Sequence, residues 1–294
     1  MPIIDVHTHA PRRARPECEH AAGQQVDALW RPDKTASTAH TAESHLQALE
    51  AVERAIVFNI AADPRGSSPG SNLQYAVPEV NDDIAEMVAE APDKLIGFLT
   101  VHPHDPGMEQ EIERATGDLG LKGIKLGPNY QNFDPLGDEA MRLFGLAQDK
   151  GLPVLLHQGT SPVQFADLDF AHPRHIDRVA MRFPDLKIIL AHMGHPWQID
   201  CIVVIRKHPN VYADISAQFY RPWSYYNAMR LATEWGVMHK LLFGSDFPIA
   251  SPQETMDSLH HVNDPIEGTN IPRVSEEDLQ AVLHRDSLNL LELD

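Results

Sequence analysis

The sequence predicts a single-domain (β/α)8 barrel, or TIM barrel, over residues 1–294. Two observations lead to this α/β fold: short apolar runs alternate with amphipathic helical segments, and eight such units fit within 294 residues. A doubly wound sheet would need a glycine-rich phosphate loop after an early strand, and the sequence has none. No linker-like stretch divides the chain, so we expect one domain.

The strands are predicted from short apolar runs, because runs that alternate with helices are typical of a parallel sheet. They are, in order, Ile3–His9, Ala55–Ile60, Leu95–Val101, Gly123–Leu126, Pro153–His157, Lys187–His192, Val211–Ser216 and Leu241–Asp246.

Apolar residues at helical spacing predict an outer layer of helices between these runs. The recurring sets are Leu46, Leu49 and Val52; Ile84, Met87 and Val88; Met108, Ile112 and Ala115; Met141, Phe144 and Ala147; and Ile176, Val179 and Phe183. Segments Gln198–Lys207 and Trp223–Trp235 are further predicted helices with a less regular pattern. A last helix begins after Ser275, where an approximate capping box precedes Leu279.

Composition excludes several classes of partner. The chain carries 24 Lys and Arg against 42 Asp and Glu, a formal net charge of −18, which disfavours nucleic acid and anionic membranes. Two cysteines, Cys18 and Cys201, are too few for a disulfide framework and fit a reducing compartment. The N-terminus resembles no signal peptide and no apolar run is long enough to span a bilayer, so we expect a cytoplasmic protein. A homo-oligomer is compatible with this composition.

Two long segments interrupt the regular alternation. Residues 10–40 follow strand one, and residues 63–78, rich in Gly, Ser and Pro, follow strand two. Segments that follow barrel strands lie on the catalytic face, where long loops shape substrate pockets. The alternative is a surface excursion without a role in the site.

Strand one ends in Asp5-Val6-His7-Thr8-His9. Side chains alternate along a strand, so His7 and His9 are expected on the inward side and Val6 and Thr8 on the other. At the end of a barrel strand, the inward side is the mouth of the active site. Two imidazoles at this spacing can share a metal ion, but the pattern alone equally fits histidines that only make hydrogen bonds.

Three further strands end in a residue suited to metal binding: His157 on strand five, His192 on strand six and Asp246 on strand eight. A polar residue that closes a buried apolar run is costly unless it is used. Four strand ends carrying four histidines and one aspartate therefore indicate a metal site. Unrelated histidines that make hydrogen bonds are the alternative.

These residues, in this order on strands one, five, six and eight, resemble the amidohydrolase superfamily. Residues 191–197 (AHMGHPW) and 243–248 (FGSDFP) resemble its amidohydrolase-related branch, which contains aminocarboxymuconate-semialdehyde decarboxylase and related metal-dependent hydrolases. The resemblance extends from Ile3 to about Leu291. It is specific for the superfamily and does not name a substrate.

The resemblance implies that His7, His9, His157 and Asp246 bind one divalent metal ion, zinc in the first instance, with Mn²⁺ or Fe²⁺ as alternatives. It also implies two catalytic residues. His192 would stand beside the metal and hydrogen-bond the substrate or a water, and Asp246 would act as general base and then acid. A positive centre of this kind attracts a small carboxylate-type substrate.

Three classes of function follow from this site. The leading one is a metal-dependent hydrolase in which an activated water attacks an amide, ester or lactone bond of a small organic acid. The alternative is a metal-dependent non-oxidative decarboxylase. A third class, a barrel that binds without reacting, is disfavoured because the set of ligands is complete.

Several other residues have more than one interpretation. Lys125 is expected to face inward and would be a carbamylated bridge between two metals, a contact for a substrate carboxylate or a partner in an internal salt bridge. Arg12, Arg13, Arg15 and Arg221 would bind a carboxylate or lie in solvent. Phe219, Tyr220, Trp197 and Trp223 would line a pocket or pack the barrel. His102 and His104 are expected at the pocket rim or in hydrogen bonds, and the remaining histidines, His40 and His45 among them, are assigned no chemistry.

Overall fold

Eight parallel strands form one sheet in sequential order, as the sequence predicts. The structure, a computed structural model, describes residues 2–11, 29–66, 74–75 and 77–293. The strands are β1 (Ile4–His9), β2 (Arg54–Phe58), β3 (Leu95–Leu99), β4 (Gly123–Leu126), β5 (Val154–Leu156), β6 (Ile188–Leu190), β7 (Val211–Asp214) and β8 (Leu241–Leu242).

The sheet curls until its last segment reaches its first strand. The amide of Val6 donates to the Phe243 carbonyl at 3.0 Å, the amide of Asp246 to the His7 carbonyl at 2.9 Å, and that of His9 to Phe247 at 2.8 Å. The arrangement is a nearly closed (β/α)8 barrel. The regular part of β8 is shorter than predicted, because the chain beyond Leu242 follows β1 through these separate bonds.

Helices fill the outer layer between the strands. The α-helices are α1 (Ala42–Ala48), α2 (Glu79–Glu90), α3 (Met108–Gly117), α4 (Pro128–Gln131), α5 (Asp138–Asp149), α6 (Arg174–Arg182), α7 (Gln198–Lys207), α8 (Pro222–Glu234), α9 (Pro252–His260), α10 (Glu276–Leu283) and α11 (Ser287–Leu291). Single 3-10 turns lie at Leu49–Ala51, Asp169–Ala171, Ala191–Gly194, Met238–Lys240 and Asp264–Ile266. In the part of the chain that the structure describes, no helix is long and apolar enough to cross a membrane.

The apolar core has two layers that follow the alternation of side chains along the strands. Outward residues such as Ile124 and Leu156 pack against the helices. Inward residues such as Phe58 and Leu155 fill the barrel, where Leu288 from α11 joins them. The inner layer fills the interior below the rim at which the polar strand ends collect.

Strand β1 departs from the regular alternation that the sequence suggests. Val6 was expected to face the helices with Thr8, but it packs in the inner apolar layer. The reason is a shift in the register of β1 against β2 between Asp5 and Thr8, which is the signature of a β-bulge. The irregularity lets Val6 support the barrel interior while His7 still reaches the rim.

The two long segments are described only in part. Within the second, Gln74–Tyr75 pairs in parallel with Ile60–Ala61, which directly follows β2. Residues 12–28 of the first segment and 67–73 of the second lie outside the described residues. Their predicted role in shaping the pocket stays a prediction.

The close approach of β3 and β4 yields a stability prediction. A methyl group added at Gly123 would lie 2.5 Å from the ring of the buried residue Phe98. We expect Gly123→Ala to destabilise the protein by about 1–3 kcal/mol, because a packed interior cannot absorb the extra carbon. Gly117→Ala is the control, since a methyl there meets nothing within 4 Å. Equal denaturant midpoints for the two variants would contradict this account of the packing.

Candidate functional site

His7, His9 and Asp246 meet at the rim of the barrel, as predicted. The Nε2 atoms of both histidines lie 3.3 Å from Asp246 Oδ1. These three residues offer ligand atoms that are all within 4.8 Å of one another, a spacing compatible with one metal ion. Barrel closure brings them together, because Asp246 follows β8 and the histidines belong to β1.

His192 and His157 extend this cluster. The His192 ring centre lies 4.8 Å from that of His7 and 5.0 Å from that of His157. The Nε2 atom of His157 is buried and has no hydrogen-bond partner among the described residues. A buried nitrogen without a partner is costly, and a metal ion would satisfy it.

The backbone around this cluster is strained. His192 has φ of 57° and Asp246 has φ of 67°, in the left-handed region that residues with a Cβ rarely adopt. Such strain costs about 1–3 kcal/mol and is typical of functional sites. Gly244 permits the approach of the segment after β8, since a methyl group there would lie 3.0 Å from His7 Cβ and 3.3 Å from Asp214 Cβ.

Asp214, at the end of β7, is a central residue that the sequence analysis did not single out. Its Oδ2 lies 2.9 Å from His7 Nδ1, and its Oδ1 accepts the amide N–H of His192 at 2.9 Å. Although burial opposes ionisation, His7 holds the pKa of the Asp214 carboxyl below its usual range. The rule that identified His157, a polar residue closing an apolar run, would have found Asp214 in Val211–Asp214 too.

Asp5 is a second buried carboxyl that the sequence analysis passed over. Its Oδ1 accepts the amide N–H of His7 and that of Ser245, both at 3.0 Å. Burial raises the pKa of Asp5 to about 6, against these hydrogen bonds. Asp5 therefore joins β1 to the segment that carries Asp246.

The pKa values of most groups in the cluster favour the forms that carry a free lone pair. Burial lowers the pKa of His9 and that of His192 to about 4 each, and the pKa of His157 well below its ordinary value. Burial opposes ionisation of Asp246, yet His192 and His7 hold the pKa of its carboxyl well below the usual range. Neutral imidazoles and a carboxylate are the forms that bind a metal ion.

Lys125 faces inward, as predicted from the alternation in β4. Its Nζ lies 3.4 Å from His7 Nε2 and 4.3 Å from the ring centre of Phe58. The side chain is fully buried, and burial lowers its pKa to about 7, although Asp214 and Asp246 act in the opposite direction. Lys125 therefore belongs to the same cluster.

Of the predicted carboxylate-binding arginines, Arg221 is the one within the described residues; Arg12, Arg13 and Arg15 lie outside them. The Arg221 guanidinium lies 4.8 Å from the ring centre of Tyr220. Burial and then the charge of Asp246 raise the pKa of Tyr220 to about 12. Arg221 therefore lies beside a tyrosine that is close enough to Asp246 to feel its charge.

The other predicted pocket residues lie elsewhere. Phe219 and Trp223 line a cavity of about 500 Å³ beside Tyr225, and its lining includes none of the clustered histidines. Trp197 stacks on His172 with ring centres 4.7 Å apart. These aromatic side chains therefore do not surround the polar cluster together.

His102 makes hydrogen bonds, which is one of its two predicted roles. Its Nε2 donates to the Gln131 carbonyl at 2.7 Å, and its Nδ1 accepts the amide N–H of His104 at 3.1 Å. The first contact joins the end of β3 to α4, and the second is local to the end of β3.

His40 and His45, to which the sequence analysis assigns no chemistry, form a pair in the structure. His40 Nε2 lies 3.1 Å from His45 Nδ1. Both rings pack edge-on against Phe247, with ring centres 5.1 and 5.0 Å away. The pair therefore supports the residue that follows Asp246.

The donor atoms at the rim fit a divalent metal ion. Imidazole nitrogens and a carboxylate oxygen are ligands that zinc, manganese and iron accept. The partnerless Nε2 of His157 is the observation that a metal would explain best. A parallel (β/α)8 barrel with such a cluster at its C-terminal rim has the architecture of a metal-dependent barrel enzyme.

The comparison with family models identifies the family. The model described as "Amidohydrolase" matches residues 4–293, so the chain belongs to the amidohydrolase family. This membership agrees with the resemblance seen in its motifs.

Two similar curated proteins are dihydroorotases. A dihydroorotase of Helicobacter pylori (strain P12) is 28% identical over 137 residues, which are 46% of this chain and 34% of that protein. A second H. pylori dihydroorotase, of strain J99, is 24% identical over 59% of this chain and 53% of its own length. The chain thus spans about half or less of these curated relatives.

Solved structures share the fold over nearly the whole chain. An uncharacterized TIM-barrel protein from Bordetella bronchiseptica superposes with a TM-score of 0.74 at 19% identity, covering 100% of this chain and 99% of that one. A dihydroxybenzoic acid decarboxylase from Polaromonas sp. JS666, with bound manganese and the inhibitor 2-nitroresorcinol, has a TM-score of 0.66 at 18% identity, covering 99% and 97%. At these identities the likeness concerns the fold.

The position of His157 predicts the effect of its removal on metal binding. We expect His157→Ala to lower metal affinity by more than about 100-fold, because even an outer-shell partner is worth 10- to 100-fold. His260→Ala, at an exposed position on α9, is the control. Metal analysis after dialysis should show loss in the first variant alone; parent-like metal content in His157→Ala would remove His157 from the ligand set.

Proposed function

We propose that this protein is a metal-dependent hydrolase that cleaves an amide, ester or lactone bond in a small organic acid. The observation that carries the proposal is the carboxylate of Asp246, 3.3 Å from the Nε2 atoms of His7 and His9 at the barrel rim. Hydrolysis requires a group that takes a proton from water and later returns it to the leaving group. The cluster is rich in such proton acceptors.

In this proposal His7, His9, His157 and Asp246 hold one divalent ion, with zinc as the first candidate because this set of nitrogen and oxygen donors is typical of it. When bound, the ion would polarise the substrate carbonyl and lower the pKa of a water molecule. Manganese and iron are the alternatives that metal analysis would distinguish.

Asp246 and His192 have separate roles in the proposal. Asp246 Oδ1 lies at the centre of the cluster, 3.3 Å from both histidines of β1, where it takes up the proton of the attacking water. His192 is neutral and its backbone is strained. In this proposal it orients the substrate or the water by a hydrogen bond.

We propose that Lys125 stays an unmodified amine and does not bridge a second metal. Its Nζ lies over the face of Phe58 at 4.3 Å. The face of an aromatic ring carries partial negative charge and attracts an ammonium group. A carbamate, which is an anion, would lose that attraction.

We propose Arg221 as the group that binds the substrate carboxylate. A guanidinium binds carboxylates through two parallel hydrogen bonds, and this one stacks on Tyr220, a residue that feels the charge of Asp246. A local cation of this kind attracts an acid despite the formal charge of −18.

Non-oxidative decarboxylation is the second candidate, and Lys125 is the observation that favours it. That reaction must deliver a proton to the carbon that loses carbon dioxide. Lys125 is a buried amine 3.4 Å from His7 Nε2 with its pKa lowered to about 7, which suits a proton donor near neutral pH. The decarboxylase from Polaromonas shares this fold.

The reaction type can be tested in ¹⁸O-labelled water with a panel of small lactones, esters and amides of carboxylic acids. We expect one label to enter the product carboxylate, because water is the nucleophile. Release of carbon dioxide, with deuterium on the product carbon when the assay is repeated in deuterated water, would show the decarboxylase instead. Asp246→Asn, assayed with zinc in excess, should lower kcat by about 10²–10⁴-fold, since the amide accepts no proton. Asp264→Asn, at an exposed pair, is its control.

The proposed carboxylate contact predicts a change in KM. Arg221→Gln should raise KM about tenfold or more, corresponding to the loss of about 1.4 kcal/mol of binding, while kcat changes less. Arg182→Gln, on the exposed face of α6, should leave both constants unchanged. An unaltered KM in Arg221→Gln would exclude Arg221 from substrate binding.

A further inference from the structure

Asp214 and Ser216 form a hydrogen-bond network behind His7 and His192. Asp214 Oδ2 faces His7 Nδ1 at 2.9 Å. Asp214 Oδ1 accepts the backbone N–H of His192 at 2.9 Å, that of Ser216 at 3.1 Å and the Ser216 hydroxyl. The Ser216 hydroxyl oxygen also lies 2.8 Å from His192 Nδ1. All of these residues except His192 are fully buried, and His192 is 9% exposed.

The direction of each hydrogen bond follows from what each group can donate. An ionised carboxylate only accepts, so His7 must donate from Nδ1 to Asp214. Ser216 has one hydroxyl proton, which goes to Asp214 Oδ1. The hydroxyl oxygen of Ser216 must then accept from His192, which requires a proton on His192 Nδ1.

A second contact of His192 supports the same direction. The backbone carbonyl of Ser216 lies 3.4 Å from His192 Nδ1, and a carbonyl oxygen accepts but never donates. One proton on His192 Nδ1 therefore serves both the hydroxyl oxygen and the carbonyl oxygen of Ser216. The opposite tautomer would set the lone pair of Nδ1 against the carbonyl oxygen and leave the Ser216 hydroxyl without a proton for Asp214.

We propose that Asp214, directly for His7 and through Ser216 for His192, fixes both rings in the tautomer with N–H on Nδ1 and a lone pair on Nε2. Asp214 and Ser216 are thus positioning residues, and one carboxylate sets two imidazoles on different strands. The hydrogen-bond directions hold whatever the reaction is; their use by the metal and the substrate rests on the proposed function.

This assignment explains why the lone pairs converge on the rim. His7 Nε2 lies 3.3 Å from Asp246 Oδ1, on the side of the ring opposite to Asp214. With Nδ1 donating to Asp214, Nε2 is the nitrogen of His7 that is left for a metal ion, which would replace any proton that Nε2 shares with Asp246. His192 likewise keeps Nε2 as an acceptor, so a substrate or water must present a hydrogen to it.

The direct test is two-dimensional ¹H–¹⁵N NMR of protein labelled at the histidine ring nitrogens, recorded metal-free and with zinc added. We expect a protonated Nδ1 on both His7 and His192 of the metal-free protein, and an unprotonated Nε2 on His192. His7 Nε2 faces the Asp246 carboxylate at 3.3 Å and can carry a second proton there, so the His7 tautomer is read with zinc bound, where Nδ1 should keep its proton. An unprotonated Nδ1 on either ring, or a protonated Nε2 on neutral His192, would overturn the proposal.

Substitutions separate the two arms of the network. Asp214→Asn places an NH2 group against either His7 Nδ1 or the amide of His192, so it should disturb the His7 tautomer and lower zinc affinity by about 10- to 100-fold. Ser216→Ala removes the 2.8 Å hydroxyl contact and leaves only the backbone carbonyl at 3.4 Å, so a measurable fraction of His192 should carry its proton on Nε2 while zinc affinity stays at the parent value. Ser216→Thr, which keeps the hydroxyl, should restore the single tautomer. A single, unchanged His192 tautomer in folded Ser216→Ala would remove Ser216 from the network.

The outcome is distinguishable from failure of the hydrolase proposal. The tautomers are read without any substrate, that of His192 from the metal-free protein and that of His7 with zinc bound, and circular dichroism reports whether each variant is folded. If both rings show the expected tautomer and no label from ¹⁸O water enters any product, the hydrogen-bond assignment stands and the proposed reaction falls. If hydrolysis is seen with the opposite tautomer, the assignment falls alone.

Discussion

Closure of the barrel between β1 and the segment after β8 is the constraint on which the site depends. Backbone hydrogen bonds join Val6 to Phe243 and Asp246 to His7. They bring the first and last strands together, although more than 230 residues of chain separate them, and align their C-terminal ends at one rim. Without that closure the carboxylate would lie far from the imidazoles of β1, because none of the intervening strands positions it.

Burial of so many polar groups is costly and is offset by paired contacts. Asp5 and Asp214 each accept hydrogen bonds from elements distant in the chain. They support His7 from two sides, one through its backbone and one through its ring. A low dielectric strengthens satisfied contacts and penalises unsatisfied ones, so the network holds the rim in one arrangement. The buried Nε2 of His157 has no such contact among the described residues, and a bound cation would supply one.

The same rim is compatible with two reactions because both need a cation, a carboxylate and a proton carrier. Asp246 and His192 supply proton acceptors, whereas Lys125 supplies an amine that can donate. Hydrolysis makes use of the acceptors, which outnumber the donor within this cluster. The choice between the reactions therefore concerns which protons move, since the scaffold that holds the groups is common to both.

The sequence by itself determined the barrel, its single domain and the five polar residues at four strand ends, because hydrophobic periodicity and polar residues at the ends of apolar runs are local signals. Lys125 was likewise placed inward by alternation alone. Tertiary structure decided what local patterns cannot express. The bulge in β1 turned Val6 inward, Asp214 became the partner of two histidines, and His40 met His45 against Phe247. These contacts join residues whose separation in the chain or irregular backbone leaves no periodic trace, so only the folded chain specifies them.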